Sequence, residues 1–429
     1  MTAPSPRPPG AAGARGPPWT ALGTTFQSLQ TRNFRLFFVG QLISNTGNQL
    51  TNVALLLFAL QLGHTGLAVG ALVACQFGPM TVLAAWAGAV ADRVDKRRAL
   101  LVTQGLEMAQ SATLAALALQ PHPPAAALYA VALAGGVLLA FDNPLRRSFV
   151  PEMVSKGALP NAVVLYGTMV SLSLVSGPAL AGALVTTVGF AWCFALDALS
   201  YLAVIASLLR MREAELVRQP PPPRTGREVR EGLAYLASEP RLWISYAMFA
   251  AVGLFSFNLR VALPLFVTRT LHGTEAAFAE LYALLSAGGV VGTLIVAHRR
   301  LVELRHAILS AAALGLAMLL LAAMPSVAVA VPAALLVGGA SIVYMTTSTA
   351  IAQIGTRREM HGRVLALQTA LIGATALLGG PLVGKLADLG GGRAPIAVGG
   401  LVGLAVAGLG EFGRRRFAHR AARGRPARA

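Results

Sequence analysis

Long apolar segments recur along most of the chain, and short polar segments separate them. Each apolar segment is roughly 18–27 residues long, which is enough for an α-helix to cross a hydrocarbon core of about 30 Å. The pattern therefore predicts an all-α integral membrane protein with twelve transmembrane helices. Their predicted bounds are residues 35–60, 67–91, 99–119, 125–143, 161–188, 191–209, 242–268, 278–297, 306–324, 327–349, 363–387 and 395–412.

The composition strengthens this prediction and disfavours an enzyme. Of the 429 residues, 55% are hydrophobic and 12% are charged, with a mean hydropathy of +0.64, whereas soluble domains are about 25% charged. Cys75 and Cys193 lie far apart in apolar segments, so we expect small packing residues rather than a metal or redox pair. No nucleophile with its base and no set of metal ligands shares one polar region, so we expect no metal site and no cofactor.

The basic residues lie almost entirely on one side of the predicted bundle. The two tails and the loops after the even-numbered spans hold 31 of the 35 Lys and Arg residues. By the positive-inside rule, both termini are predicted to be cytoplasmic in a multi-pass protein of the inner or plasma membrane. This asymmetry accounts for most of the formal net charge of +18 without a nucleic-acid partner. We expect the basic carboxy-terminal tail to contact anionic lipids.

A long linker divides the predicted spans into six plus six. The predicted units are a disordered cytoplasmic tail (1–30), a first half (31–209), a cytoplasmic linker (210–241), a second half (242–412) and a basic cytoplasmic tail (413–429), in a monomer. In the linker, Val229, Leu233 and Leu236 recur at helical spacing, which predicts an amphipathic surface helix.

The two halves also repeat a motif, which favours a duplicated transporter fold. Span 5 contains SGPALAG and span 11 contains GGPLVGK, each at a similar distance from a basic loop. Proline disturbs the backbone bonds and small residues allow close helix packing. The predicted hinge and packing residues are Gly177, Pro178, Gly182, Gly380, Pro381 and Gly384.

The loop GAVADRVDKRRALL after span 2 resembles the signature loop of the major facilitator superfamily. The stretches NFRLFFVGQLISNTGNQL, FDNPLRRSFVPE and REMHGRV resemble its branch of enterobactin-exporter and macrolide-efflux-like permeases. The resemblance implies twelve helices in two pseudo-symmetric halves. It also implies a conformational latch in which Asp92 meets span 11 and closes the cytoplasmic side when the cavity faces out. The latch residues would be Gly88, Asp92, Arg93, Arg97 and Arg98, although the arginines could serve topology alone.

The span-5 motif resembles the one linked with exporters, which implies export rather than import. Ala181 and Ser173 stand where the fuller motif has glycine, so plain helix packing is the alternative. Many proton-coupled exporters of this superfamily carry an arginine within span 4. Here the predicted span 4 has no charge until Asp142 at its end, so other groups would have to relay a proton.

Span 1 carries a stripe of amides, which we call the amide stripe: Gln41, Asn45, Asn48 and Asn52. Their spacings of four, three and four place them on one face, with apolar residues opposite. A stripe about 16 Å long suits a water-filled substrate cavity, and the resemblance implies that span 1 lines one. The alternative is hydrogen bonding between helices of one half.

Further polar residues in the second half complete the predicted cavity. Arg260 lies deep in span 7, and a charge at that depth indicates a functional site for an anionic or catecholate-like substrate. The alternative is a structural pair with Glu280 or Asp197. Ser256 is predicted to share the face of Arg260, and Pro264 should kink the helix at residue 260. Tyr344 and Ser348 share a face of span 10 and are also predicted to line the cavity.

Two acids are candidate proton carriers: Glu107, deep in span 3, and Asp142, at the end of span 4. Burial disfavours the charged form of a carboxyl group, which allows it to take up and release a proton. The alternative for Glu107 is a buried hydrogen-bonded acid, and for Asp197 in span 6 the structural role is favoured.

Together these features predict a secondary active transporter. The favoured function is export of a small amphipathic molecule, such as a siderophore, drug or secondary metabolite, by alternating access driven by the proton gradient. A lysophospholipid flippase of the same fold is an alternative, although the amide stripe argues against it. A non-transporting membrane sensor or assembly protein is another, although the linker is too short for a soluble module.

Overall fold

The first half of the molecule consists of six long helices. The structure is a computed structural model that describes residues 26–63, 65–217, 228–299, 303–357 and 360–423. After a short 3-10 turn at Gln27–Gln30, the helices are α1 (Arg32–Gly63), α2 (Gly66–Arg93), α3 (Lys96–Ala118), α4 (Ala125–Met153), α5 (Leu159–Thr187) and α6 (Phe190–Leu209).

The second half follows a linker helix at Glu228–Ser238. Its first helix, α7, is interrupted: it comprises Pro240–Phe255, Leu259–Leu265 and a π-helical turn at Phe266–Thr270. The others are α8 (Glu275–Arg299), α9 (Leu304–Ala323), α10 (Val327–Ile354), α11 (His361–Gly390) and α12 (Arg393–Arg423). Within the described ranges the chain forms no β-strand.

Ten of these segments are long and apolar enough to cross a membrane on their own sequence, counting the described residues. The two that fall short are α1 and α3. The first carries the amide stripe, and the second begins with three basic residues and contains Glu107. Both pack along α6 within the bundle, so their polar groups meet protein rather than lipid. The predicted fold class, an all-α membrane bundle, is confirmed.

Several helices extend beyond their predicted ends, and one extension changes the chemistry. The stretch NPLRRSFVPEM, predicted to be loop, is the last part of α4, which ends at Met153 rather than at residue 143. A hydropathy pattern ends at the first charges, but a helix continues wherever packing covers it. This places Arg146 inside α4. Residues 1–25 of the amino-terminal tail and the proline run of the linker lie outside the described residues, as do residues 424–429.

The interruption of α7 lies at Ser256–Asn258, one turn before the position that Pro264 predicted. There the side chain of Asn258 replaces missing backbone bonds. Its Nδ2 donates to the carbonyl oxygens of Gly253 (3.1 Å) and Leu254 (3.0 Å), and to that of Thr375 on α11 (3.2 Å). The amide thus satisfies the helix end and fixes it to a neighbouring helix.

The two halves meet along α2 with α11 and α5 with α8. We name the two ends of the bundle by the predicted topology, the end with the α1–α2 loop being the outer end. There the contacts are between backbones: a Cβ on Gly70 would collide with Gly380, and one on Gly384 with Gly66. A Cβ on Gly182 of α5 would lie 2.8 Å from that of Ala279 on α8. These glycines allow the halves to close tightly at the outer end.

The hydrophobic core has two parts. The larger draws residues from both halves. The smaller belongs to the cytoplasmic end of the first half and contains Phe34, Phe37, Leu100 and Phe149. The cytoplasmic end of the first half is therefore packed by its own residues.

The linker helix packs on α11. Glu231 pairs with Arg363 at 2.9 Å, and Leu236 is buried. The hydroxyl of Tyr235 accepts from the backbone N–H of Arg357 at 3.2 Å. Leu233 is 51% exposed, so it does not share the buried face that its spacing predicted.

Candidate functional site

A cluster of buried charges lies among α1, α3 and α4, and Arg146 is at its centre. Its guanidinium pairs with Asp142 one turn earlier on α4 and with Glu107 Oε2 on α3, the latter at 3.2 Å. It also donates to Gln41 Oε1 on α1 at 2.7 Å, and Asn45 Oδ1 lies at 3.4 Å. All three charged side chains are at most 8% exposed. We call Glu107, Asp142 and Arg146 the charge cluster.

The two acids of the charge cluster share further donors on α3. Gln104 Nε2 donates to Glu107 Oε2 at 3.1 Å and to Asp142 Oδ1 at 2.9 Å. The hydroxyl of Thr103 donates to the same oxygen of Asp142 at 3.0 Å. The two candidate proton carriers, predicted separately, therefore lie side by side. With both ionised they present two negative charges to one guanidinium.

Helical spacing explains how the charge cluster forms. Gln104 and Glu107 are three apart on α3, and Asp142 and Arg146 are four apart on α4, so each pair shares a face. Sequence reasoning missed Arg146 because it assigned this residue to a loop. The signal that could have found it is the four-residue spacing from Asp142, which continues the buried face of α4.

The amide stripe is hydrogen-bonded in two groups. Asn45 Nδ2 donates to the backbone and side-chain oxygens of Gln41 at 2.9 and 3.2 Å, beside Arg146. Farther along α1, Asn52 donates to Asn48 Oδ1 at 3.0 Å and accepts from Gln76 of α2 at 3.3 Å.

The stripe also reaches α6, where Asn48 donates to Tyr201 at 3.3 Å. Gln41 is fully buried, while the other three amides of the stripe are partly exposed. All of these bonds lie within the first half, as expected if the stripe serves hydrogen bonding between helices of one half. That the exposed parts face a substrate stays a prediction.

In the second half, Ser256 and Arg260 do not share a face. Ser256 is fully buried and donates to the carbonyl of Gly399 on α12 at 2.9 Å, because the interruption of α7 turns it away. Arg260 instead lies over the ring of Phe77 on α2, with Cζ 5.1 Å from the ring centroid. Among the described residues, neither Glu280 nor Asp197 forms an ion pair with it.

The two predicted residues of α10 are buried. Tyr344 stacks on Phe249 of α7 with ring centroids 6.2 Å apart, and it also contacts Phe257 at 6.1 Å. Ser348 lies one turn farther along α10 and is 2% exposed. Tyr344 therefore lies in the packed α7–α10 contact in this structure.

The predicted latch residues lie at the cytoplasmic end of α2 and the start of α3. Asp95 caps α3, accepting from the N–H of Arg98 at 3.1 Å. Arg97 donates to the carbonyl of Leu208 at the end of α6 at 2.7 Å and pairs with Glu213.

A cavity of about 300 Å³ opens beside these predicted latch residues. Asp92, Arg93, Lys96 and Arg97 line it together with residues that all belong to the first half or to the segment after α6. Gly88 lies one turn before Asp92 on α2. The contact of Asp92 with α11 that the resemblance implies stays a prediction.

Asp197 lies outside the charge cluster, in a hydroxyl-rich contact of α6. It is fully buried and accepts from Ser111 of α3 at 2.7 Å. In the described part of the chain, no three His, Cys, Asp or Glu side chains are arranged to hold a metal ion.

Comparison with known proteins connects this geometry to a family. The family described as transmembrane secretion effector matches residues 23–414. The enterobactin exporter of Citrobacter koseri is 26% identical over 387 residues, covering 88% of this chain and 90% of that protein. The staphyloferrin A transporter of Staphylococcus aureus is 24% identical over 265 residues, covering 61% of this chain and 66% of that protein.

Solved structures show the same fold. A bacterial homolog of the human lysosomal transporter Spinster, in an inward-facing and unoccupied conformation, matches with a TM-score of 0.68 at 14% identity over 90% of this chain and 97% of that chain. A POT peptide transporter matches with a TM-score of 0.72 at 13% identity, over 90% and 95%. Both are named as transporters or homologs of one, and at such identity they establish the fold alone. This chain is therefore a multi-pass membrane protein of the transmembrane secretion effector family in the major facilitator superfamily, whose members are transporters and not enzymes.

Proposed function

We propose that the protein exports a small amphipathic molecule in exchange for protons, by alternating access between its two halves. Relatives named as an enterobactin exporter and a staphyloferrin A transporter support a small secreted chelator or a similar metabolite as cargo. A drug or another secondary metabolite fits the same class.

The observation that carries the proton coupling is the charge balance of the charge cluster. Glu107 and Asp142 are buried against a single guanidinium, that of Arg146. With both acids ionised the cluster carries one uncompensated negative charge, and burying such a charge is costly. Uptake of one proton neutralises it. A site that is neutral with one proton bound and charged without it suits a carrier of a single exchangeable proton.

The charge cluster is also connected to a helix that would move. Arg146 holds Gln41 and Asn45 of α1 as well as the two acids. If a proton neutralises Glu107, the guanidinium of Arg146 is attracted less strongly to α3. Its bonds to α1 and to Asp142 then contribute a larger share of what holds it in place. Proton uptake would then change how firmly α1 is held, and α1 contacts both α5 and α6 of its half.

Other polar groups of the bundle suit a cargo with acidic or hydrogen-bonding groups. The partly exposed amides of the amide stripe offer donors and acceptors without charge. Arg260 adds a cation whose neighbour is an aromatic ring. Such a surface fits an amphipathic anion better than an acyl chain, which is why the flippase is not favoured.

The test uses purified protein in liposomes with a pH-sensitive dye inside and a panel of siderophores, macrolides and aromatic metabolites. The expected result is proton movement that starts on adding one cargo class and is lost in Glu107→Gln. In the same variant, exchange of labelled for unlabelled cargo, which needs no net proton transfer, should continue. Glu152→Gln is the matched control, since it neutralises a buried acid whose ion pair, with Lys96, is separate from the charge cluster.

Two outcomes would contradict the proposal. Proton movement that persists in a Glu107→Gln/Asp142→Asn double variant would refute the proton route. A panel in which no compound accumulates differently in cells with and without the protein would refute export of this class.

A further inference from the structure

Asp388 joins the two halves at the outer end of the molecule. It lies in the last turn of α11, in the second half. Its carboxylate accepts from the backbone N–H groups of Gly66 at 2.6 Å and Leu67 at 2.9 Å, the first two residues of α2 in the first half. It also pairs with Arg269, in the last turn of α7, at 2.9 Å.

These bonds complete the cap of α2. The first N–H groups of a helix have no partner within it, and they carry partial positive charge. Thr65 satisfies one, since its hydroxyl accepts from Ala68 at 3.1 Å. The N–H groups of Gly66 and Leu67 are left, and Asp388 takes both. The cap is thus built by two residues, one from each half.

Close backbone contact places the carboxylate there. An added Cβ on Gly66 would collide with the carbonyl oxygen of Gly384, and one on Gly70 would collide with that of Gly380. Because none of these four residues has a side chain, α2 and α11 touch through their backbones. Asp388, one turn beyond Gly384, then lies over the first turn of α2.

The bonds of Asp388 are strong enough to favour the state closed at the outer end over the open state, and weak enough to break when the halves part. The side chains of Asp388 and Arg269 are 21% and 32% exposed, so water can replace the bonds when the halves part. An anion at a partly exposed helix N-terminus and an ion pair of this exposure together shift an equilibrium by on the order of tenfold. Bonds of this size hold a state closed without trapping it.

We infer that Asp388 and Arg269 form an outer latch that stabilises the state closed at the outer end, reciprocal to the cytoplasmic latch at Asp92. The helices α2 and α11 run antiparallel, and each carries an aspartate near its carboxy-terminal end. At the outer end Asp388 caps α2 in this structure. At the other end Asp92 would do the same for α11 once the cytoplasmic side closes.

The inference rests on the proposed alternating access, but it requires no knowledge of the cargo. The reporter is Ala279→Cys, in a protein whose Cys75 and Cys193 are replaced by alanine. Ala279 is fully buried in the outer contact of α5 with α8, away from Asp388. Its reaction with a maleimide, in protein reconstituted in nanodiscs, measures opening of the outer end.

Removing the latch should expose the reporter. In Asp388→Ala we expect the labelling rate to rise by on the order of tenfold, and in Arg269→Gln by on the order of threefold, because the ion pair is lost while Asp388 still caps α2. Lys385→Gln is the matched control: it changes an exposed charge one turn away on α11 and should label as the parent does. Arg269→Gln keeps the cap of α2, so it tests the latch even if Asp388→Ala does not fold.

A steric variant separates failure of the latch from failure of alternating access. In Gly384→Val the new side chain must push α11 away from Gly66, which opens the outer end without touching the latch residues. If Gly384→Val labels faster while Asp388→Ala and Arg269→Gln label as the parent does, the outer latch is refuted. If Gly384→Val also labels at the parent rate, the outer end does not open and the alternating-access cycle is refuted.

Discussion

Replacing Arg146 tests whether its positive charge balances the negative charge of the two acids in the charge cluster. Arg146→Met removes the one cation that, among the described residues, pairs with Glu107 and Asp142, which are both buried. Breaking a buried ion pair by removing one partner costs about 3–5 kcal/mol, because the remaining charge has no counter-ion. The variant also loses the guanidinium's bond to Gln41. We therefore expect the free energy of unfolding to fall by about 4 kcal/mol.

The sharper expectation is that further neutralisation restores stability. In Arg146→Met/Glu107→Gln/Asp142→Asn no buried charge is left without a partner, and the new amides can bond with Gln104. Replacing a whole buried ion cluster by neutral groups is often close to neutral in energy. The triple variant should therefore recover at least about half of the loss, so that three substitutions are less damaging than one.

The assay is unfolding of the purified protein by increasing mole fractions of SDS in mixed micelles, followed by circular dichroism. The matched control is Lys96→Met, which breaks a separate buried pair with Glu152 at 2.6 Å. It should also destabilise, but Glu107→Gln and Asp142→Asn should not rescue it. A single Arg146→Met variant as stable as the parent, or a triple variant less stable than that single one, would refute the charge balance and with it the argument for one exchangeable proton.

Three further outcomes follow from the topology, the cytoplasmic latch and the amide stripe. On intact cells an impermeant maleimide should label Thr274→Cys and not Ser238→Cys, both of which are exposed; the reverse pattern would invert the topology. Asp92→Asn should insert normally and slow transport of the cargo. An unchanged transport rate would mean that the charges of this loop serve only to set the topology. Asn48→Leu should lower stability by about 0.6 kcal/mol, since it loses one interhelical bond, and should alter the range of cargo; Asn45→Leu should do the same, and an unchanged range in both would defeat the cavity interpretation.

The kind of fold could be predicted because lipid leaves a spanning chain few choices. Backbone groups in hydrocarbon must form hydrogen bonds within a helix, so each long apolar segment indicates a transmembrane helix. Even α1 and α3, which are too polar to qualify by hydropathy alone, could be placed from the alternation of apolar and basic segments. Their polar residues then pointed to the interior of the bundle, which is where the structure has them.

The end of α4 and the interruption of α7 could not be predicted, because each depends on contacts with other helices. From the sequence alone Arg146 is indistinguishable from a basic loop residue, and only its contacts with Glu107 and Gln41 show that it is buried in the bundle. Pro264 indicated a break in the right helix, but at the wrong turn. The chain leaves the helix where Asn258 can bond the freed carbonyls and also reach Thr375, a residue 117 positions away.

The outer contact of Asp388 escaped sequence reasoning for a similar reason. In the sequence it is one acid in a short glycine-rich loop, and nothing distinguishes it from a solvated surface charge. Its partners lie 322 and 321 positions away along the chain. The glycines at 66, 70, 380 and 384 carried a signal, since small residues at matched spacing indicate close packing, but they did not say which helices would meet.

The amide stripe on α1 connects the charge cluster with α2. Its first group, Gln41 and Asn45, contacts Arg146, which also pairs with Glu107 and Asp142. Its second group ends at Gln76 of α2, and the next residue on α2 is Phe77, which carries Arg260 from the other half. The polar face of α1 therefore meets the proposed proton site at one part and, at another, the segment of α2 that contacts Arg260 of the second half. In the proposed cycle a proton bound by the charge cluster need not travel to the cargo, because α1 would carry the change in pairing towards this contact between the halves.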